Sequence, residues 1–480
     1  MEGERATGCG VQVVCRRMVR PLTTLPTAKG KEDVEVIHLT PWDLRLLGTG
    51  YIQKGVLLPR PPAGGGGDVL VSALECSFAR ALHLFYPLAG RLATDDLGDG
   101  TVAVLLRCTG EGAELVHAVA PSVAAADVVC SLYTQPVVRE LFPLARARSA
   151  EAAVEPLPVL AAQVTELADA VFLAVALNHA VADGSTLWNF VNAWSEIHRL
   201  GVGVRSDELS TPPPVLRRWF LESCAVPVPM PLGKRLERLA RQPQLRLGDD
   251  VRECFFTFSA ASVQRLTARA NAEVSGTATA TVSSLEAVLA HLWRAVCRAR
   301  RLPPERGTFY TVVIGCQGRV DGVPRGYVGN AMVFGKAEAT AREIEEKGLG
   351  WTARLLGRVV AAASADEAGM REMLERWVRD PGLTRMGDLS SAGALALGLA
   401  TGVSPWSEDV FGNDFGWGKP VAVRSGPGNK ADGKAAVFQG PEEGGSMSLE
   451  VCLAPDVLAG LLNDGQFMGA VMEPPSRPSL

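Results

Sequence analysis

Seven consecutive residues, Asn178-His179-Ala180-Val181-Ala182-Asp183-Gly184, follow the apolar run Val171-Phe172-Leu173-Ala174-Val175-Ala176-Leu177. A neutral imidazole is the side chain best suited to take a proton from a hydroxyl or an amine near pH 7. Such a base must be held in one orientation. A carboxylate four residues on, Asp183, could hold the ring directly or brace the loop that carries it, and Gly184 would let the chain turn sharply out of the strand. On these residues alone two readings stay open, a general base or a histidine satisfied inside a core.

The elements that must position this loop follow from periodicity. Pro158 to Thr165 and Ala170 to Leu177 read as strands, and a helix is expected from about Thr186, with Leu187, Val191, Trp194 and Ile197 inward. An earlier helix runs from Asp68, a reasonable N-cap, through Leu70, Leu74, Phe78 and Leu82 to a stop at Pro87. Arg91-Leu92-Ala93 and Thr101 to Leu106 read as a hairpin around Asp99-Gly100. The first 60 residues read as irregular, apart from a strand-turn signal at Val34 to Pro41, and Gly64 to Gly67 as a flexible turn.

Beyond Gly201 the composition shifts to Pro212-Pro213-Pro214, Pro227, Pro229, Pro231 and the basic Arg235, Arg238 and Arg241. This stretch, 201–250, is expected to be a crossover linker between an N-terminal domain, 1–200, and a C-terminal domain, 251–480. The second part opens on a strand at Glu253 to Phe258. Ser283-Ser284-Leu285-Glu286 is a capping box at the head of a helix, and strands follow at Phe309 to Gly315 and Met447 to Leu453. Glycine-rich loops are expected around 412–418, 426–434 and 440–446. Strands and helices alternate in both parts, so the class is α/β.

Composition narrows the function. The chain has 480 residues, 47% hydrophobic and 21% charged, with a formal net charge of -4. That balance gives no electrostatic grip on nucleic acid or an anionic membrane surface. No uncharged apolar run reaches the 18 residues of a membrane span. Arg16, Arg17 and Arg20 near the N-terminus are accompanied by Glu2 and Glu4 and lead into no apolar segment, so no secretory signal is expected. The closing Pro478-Ser479-Leu480 lacks the basic residue of a peroxisomal address. Ten cysteines carry no C-x-x-C spacing and do not pair with the six histidines at metal-ligand spacing, so free thiols, no metal and a cytoplasmic setting are expected.

A second constellation decides between the readings of His179. Asp414-Phe415-Gly416-Trp417-Gly418, between Asn413 and Lys419-Pro420, is a run of rare types. Asp-Phe-Gly also begins a kinase metal motif, but the chain has no accompanying Gly-rich loop, strand lysine or H-R-D.

H-x-x-x-D-G at His179 to Gly184, with D-F-G-W-G some 230 residues later, resembles the paired signature of the plant BAHD acyltransferases, which use acyl-coenzyme A donors. The resemblance extends to Leu84 to Leu92, to Trp188-Asn189-Phe190 with Asn192-Ala193-Trp194, to Tyr327-Val328-Gly329-Asn330 and to Glu450-Val451-Cys452-Leu453. Tyr51 to Gly55 and Val423 to Gly426 are similar to a subgroup of uncharacterised acetyltransferases and cuticle-related members.

The resemblance implies two similar-sized domains of chloramphenicol-acetyltransferase-like fold, with mixed sheets and a solvent channel at their junction. It implies that His179 deprotonates a hydroxyl or amine of a small-molecule acceptor, which attacks the acyl-CoA thioester directly, with no acyl-enzyme and no permanently bound cofactor. The protein is expected to act as a monomer. Asp183 would brace the loop through Arg319. Asp414, Phe415, Gly416, Trp417 and Gly418 would form a loop brace near the CoA channel, with Trp417 a candidate donor near the oxyanion.

Ser283 and Ser284 at a helix N-terminus could meet CoA, although the capping box alone explains them. Lys430, Asp432 and Lys434 could meet the nucleotide end of CoA or stand as solvated loop charges. One departure is Gln317, neutral where members commonly carry a second basic residue. Two other readings keep the fold: a lyase acting on a metabolite conjugate without CoA, and a non-catalytic ligand-binding protein.

Overall fold

The structure is a computed structural model that describes residues 10–22, 34–62, 67–201, 203, 205–241, 251–275, 281–384, 394–397 and 410–477. Cys9, Glu2, Glu4, Gly64 to Gly66, linker residues 242–250 and the C-terminal tripeptide lie outside them.

Six strands form the first sheet, in spatial order β1 (Gln12–Val19), β6 (Ala113–Ala120), β7 (Leu160–Leu167), β8 (Ala170–Leu177), β3 (Ile52–Pro59) and β13 (Ala422–Ser425). All eight residues of β8 are buried, as a central strand covered on both faces requires. It runs antiparallel to β3, from Ile52 against Leu177 to Pro59 against Ala170. A second six-stranded sheet has the order β11 (Met332–Thr340), β10 (Gly307–Gly315), β12 (Ala394–Leu397), β14 (Lys434–Gln439), β15 (Met447–Leu453) and β9 (Arg252–Phe258). A three-stranded sheet joins β2 (Val36–His38), β5 (Thr101–Arg107) and β4 (Arg91–Gly98), the last two being the expected hairpin around Asp99 and Gly100, both at positive φ.

Two large cores follow the two main sheets. Helices Asp68–Leu84 and Gly184–Leu200 pack on each other over the first sheet through Phe78, Phe190 and Trp194. Helices Ala260–Val274, Ser284–Ala299 and Gly348–Ala365 cover the second sheet. The 68–84 helix is capped at Gly67 without a side-chain bond, so Asp68 is its first helical residue rather than its N-cap.

The sequence expectation differs from the structure in three further places. Among the described residues of the first 60, β2 answers the strand signal at Val34 to Pro41, but β1 and β3 are strands as well: β1 is an exposed edge strand, and β3 carries Gly55 within it and ends at Pro59. The stretch 205–241 docks on both parts, with Met230 bridged to Val102 and Val215 to Tyr327. Sheet membership also does not follow the chain's linear division. Strand β13 lies late in the sequence yet completes the first sheet, pairing Ala422 with Leu57 and Ser425 with Lys54.

Candidate active site

Strand β8 delivers the histidine loop. Asn178 turns the chain: its backbone carbonyl accepts from Val181 N at 3.0 Å, and its Oδ1 accepts from Ala180 N at 3.0 Å. The backbone of His179 is then clamped from two sides. Its N–H donates to Ser149 Oγ at 3.1 Å, and its carbonyl accepts from Asn330 Nδ2 at 2.8 Å. Asn330 also donates twice to the buried carboxylate of Asp43, through N and Nδ2, each at 2.9 Å. Arg218 donates to the Val181 carbonyl at 2.9 Å and approaches Asp43 at 3.5 Å. Gly329 makes room for that guanidinium: it sits at φ 154°, and a Cβ there would lie 2.0 Å from Arg218 Nη1.

With its backbone held, the half-buried His179 ring keeps a buried Nδ1 that no group among the described residues hydrogen-bonds. Burial lowers its pKa to about 4; the charge of Lys434 adds to this, while the backbone of His179 and Ala182 and the Asn330 side chain act the other way. The ring is therefore a neutral imidazole at physiological pH.

Asp183 turns away from the ring. It caps helix 184–200, accepting from Thr186 N at 3.0 Å, and its second oxygen accepts from Gln317 Nε2 at 2.6 Å and Ala331 N at 3.2 Å. Arg319, the expected partner, is not there. Its Nη1 donates to Ser364 Oγ at 2.9 Å, while Gln317, two residues earlier and only 8% exposed, turns inward. The neutral amide supplies a hydrogen bond without a counter-charge, and burial raises the Asp183 pKa to about 6. Gly184 is the first residue of the helix and takes no positive φ, so the turn is made by 178–182 rather than by glycine.

The Asp414 to Gly418 loop lies elsewhere. Asp414 Oδ1 accepts from Gly416 N at 2.7 Å and Gly418 N at 3.1 Å, closing the loop on itself. Phe415 and Trp417 pack on His198, and Phe415 also meets Trp194, all near the C-terminal end of helix 184–200. At about 1.5 Å per helical residue, His198 is about 22 Å from Asp183. Gly418, at φ 135°, abuts Pro59, which pairs with the far end of β8 from Leu177. Both rulers put Trp417 too far from His179 to donate to an oxyanion there.

The residues considered for CoA are engaged locally. Ser283 and Glu286 form the capping box, and Ser284 Oγ accepts from Thr267 Oγ1 at 3.2 Å. Lys430 is neither a solvated loop charge nor open to a nucleotide: it is 6% exposed and paired with Glu253 at 3.0 Å and Glu450 at 2.8 Å. Burial opposes its charge, but the two glutamates outweigh burial and raise its pKa. Asp432 pairs with Arg300 at 2.7 Å and accepts from Ala454 N at 2.9 Å. Lys434 is half-buried and donates to the Asn429 carbonyl.

Ser149, Asp43 and Arg218 escaped the sequence reading because they reach the loop from distant segments. Only the Thr40 to Asp43 capping box was visible locally as a signal. Among the described residues no helix is long and apolar enough to cross a membrane, no His/Cys/Asp/Glu cluster could hold a metal, and the nine cysteines are unpaired.

A family model described as the transferase family matches residues 18–468. The chain belongs to this family, the plant BAHD acyltransferases, and is an acyl-CoA-dependent O- or N-acyltransferase. It is 34% identical to an uncharacterised acetyltransferase of Arabidopsis thaliana, over 92% of this chain and 96% of that protein. It is 31% identical to the Arabidopsis BAHD acyltransferase DCR, over 95% of this chain and 92% of the relative. The fold matches vinorine synthase at a TM-score of 0.67 and 18% identity, over 97% and 99% of the two chains. It also matches the Fusarium sporotrichioides TRI101 complex with coenzyme A and T-2, at 0.67 and 18% over 91% and 99%.

Proposed function

We propose that His179 is the general base for direct transfer of an acyl group from acyl-CoA to a hydroxyl or amine of a plant specialised or cuticle-related metabolite. The observation that carries this reading is the clamp. Ser149 and Asn330 hold the backbone of His179 while its ring stays neutral with Nδ1 unpartnered. The ring accepts the acceptor's proton as the new C–O or C–N bond forms at the thioester carbonyl. The C–S bond then breaks, and the same proton passes to the departing CoA thiolate. No cysteine is needed as a nucleophile; burial pushes Cys254, Cys316 and Cys452 up to about 12, far from a reactive thiolate.

Asp183 is a positioning residue in this scheme, fixing the start of helix 184–200 through Thr186 and tying the loop to the second sheet through Gln317 and Ala331. The Asp414 to Gly418 loop braces the other end of the same helix. We assign no CoA contact to Ser283, Ser284, Lys430 or Asp432, and we infer a cytoplasmic monomer without a resident cofactor. The test is free-thiol release across a panel of acyl-CoAs and acceptors. Release by the wild type that collapses in His179→Ala supports the reading. Consumption of a conjugate without thiol release would favour a lyase, and binding without turnover a ligand-binding protein.

A further inference from the structure

Lys434 comes to His179 from the other main sheet, near enough for its charge to act on the ring. It opens β14, and the side of that strand carrying Lys434 also carries Ala436 and Phe438, which pack into the core of the first sheet. Its Nζ donates to the Asn429 carbonyl. Asn429 is itself pinned to the start of β3: its Oδ1 accepts from Gly50 N at 2.8 Å, and its Nδ2 donates to the Gly50 and Tyr51 carbonyls at 2.9 and 3.3 Å. The next residue, Ile52, pairs with Leu177, two positions before His179. This chain of contacts ties the ammonium to the end of β8 that leads into His179, and the ring feels its charge.

The nearby acids are spent on other groups. Glu450 and Glu253 are paired with Lys430, and Glu253 also with Arg139 at 3.1 Å. Asp183 is taken up by Thr186, Gln317 and Ala331, and Asp43 by Asn330 and Arg218. Among the described residues no carboxylate pairs with Lys434. An ammonium held inside a protein by one neutral carbonyl is expensive unless an anion completes its shell. Burial and then the charge of Lys430 lower its pKa to about 7, Lys54 adding to this while Cys452 and Glu450 act the other way.

We propose that Lys434 anchors a carboxylate carried by one of the two substrates, either on the acyl acceptor or at the far end of the acyl group. The inference rests on the acyl-transfer reading above and adds a substrate class to it. It also supplies a coupling. A carboxylate docked on Lys434 cancels the charge that weakens His179, so the base gains strength when the cognate substrate is bound.

The experiment compares acid and ester by calorimetry on the full-length protein, separately from thiol release. The acceptor arm pairs shikimate, 3-hydroxybenzoate and anthranilate each with its methyl ester; the acyl arm pairs malonyl-CoA with acetyl-CoA. In one arm the wild type binds the carboxylate form about tenfold or more tightly. That ratio falls towards one in Lys434→Met, is largely kept in Lys434→Arg, and in the wild type declines from pH 6 to pH 8.5 as the ammonium loses its proton. The pH series needs no variant, so a Lys434→Met protein that fails to fold leaves the test intact. A ratio near one for every pair, or one that Lys434→Met leaves unchanged, overturns the anchor. A wild type that binds with the expected ratio but releases no thiol overturns the transfer reading instead.

Discussion

Gln317 donates its side-chain amide to Asp183 at 2.6 Å across the junction of the two sheets, in the place where a basic partner was expected. The bond joins the first turn of helix 184–200 to the turn after β10, and Asp183 accepts two further backbone donors around it. The carboxylate is thus fully hydrogen-bonded but not neutralised. Its role is geometric, and the variants below separate it from catalysis.

Gln317→Leu removes a donor to a buried carboxylate and should cost about 1–3 kcal/mol of stability. Arg319→Ala, which loses only the Ser364 contact, should cost less than half as much. Urea titrations of the two variants check the order. If Arg319→Ala is the more damaging, the bracing assignment is wrong.

His179→Ala should lower the rate of acyl-CoA-dependent thiol release by about 10² to 10⁴-fold, the range of a lost general base, while leaving the melting temperature close to that of the wild type. A variant that melts early would instead mark His179 as a core residue.

The acid limb of kcat/KM should fall near pH 4 rather than near the ordinary imidazole value of 6.5, because burial and then Lys434 disfavour the imidazolium. The sign for stability is the same. A histidine with a depressed folded pKa favours folding above pH 6.5, and that contribution is lost as the pH falls from about 6.5 to 4. His291, also lowered to about 4 by burial, adds to the loss in the same window. Asp183, raised to about 6, works in the opposite sense, its contribution being lost as pH rises from about 3.8 to 6. Rate profiles and melting curves between pH 4 and 8 read both effects.

Lys430→Met should be among the most damaging single changes, by about 3–5 kcal/mol, because it strips the buried Glu450 of its ion-pair partner and leaves the buried Glu253 with Arg139 alone. Whatever folded protein is recovered should keep its KM for acyl-CoA. A selective rise in that KM would return Lys430 to the list of CoA contacts.

The parts of the site that were legible in the chain are local. The run Ala170 to Leu177 reads as a strand and is one, and the helix expected from about Thr186 begins at Gly184, capped by Asp183. What was illegible depends on closure of the fold. Ser149 and Asn330 approach His179 from 30 and 151 residues away, and no periodicity encodes that meeting. The choice between Gln317 and Arg319 turned on burial: the shorter neutral side chain tolerates the interior, while the guanidinium stays half-exposed. Strands β1 and β3 were missed because an edge strand carries charges and Gly55 breaks the alternation.

The pairing of β13 with β3 also shapes how the protein must be made. Until residues 422–425 emerge from the ribosome, β3 is an open edge of a sheet whose neighbouring strand is wholly apolar. An N-terminal fragment released early would present that edge as a template for another chain. The last strand of the first sheet therefore acts as a completion signal, and His179 acquires a finished scaffold only once β13 has been made.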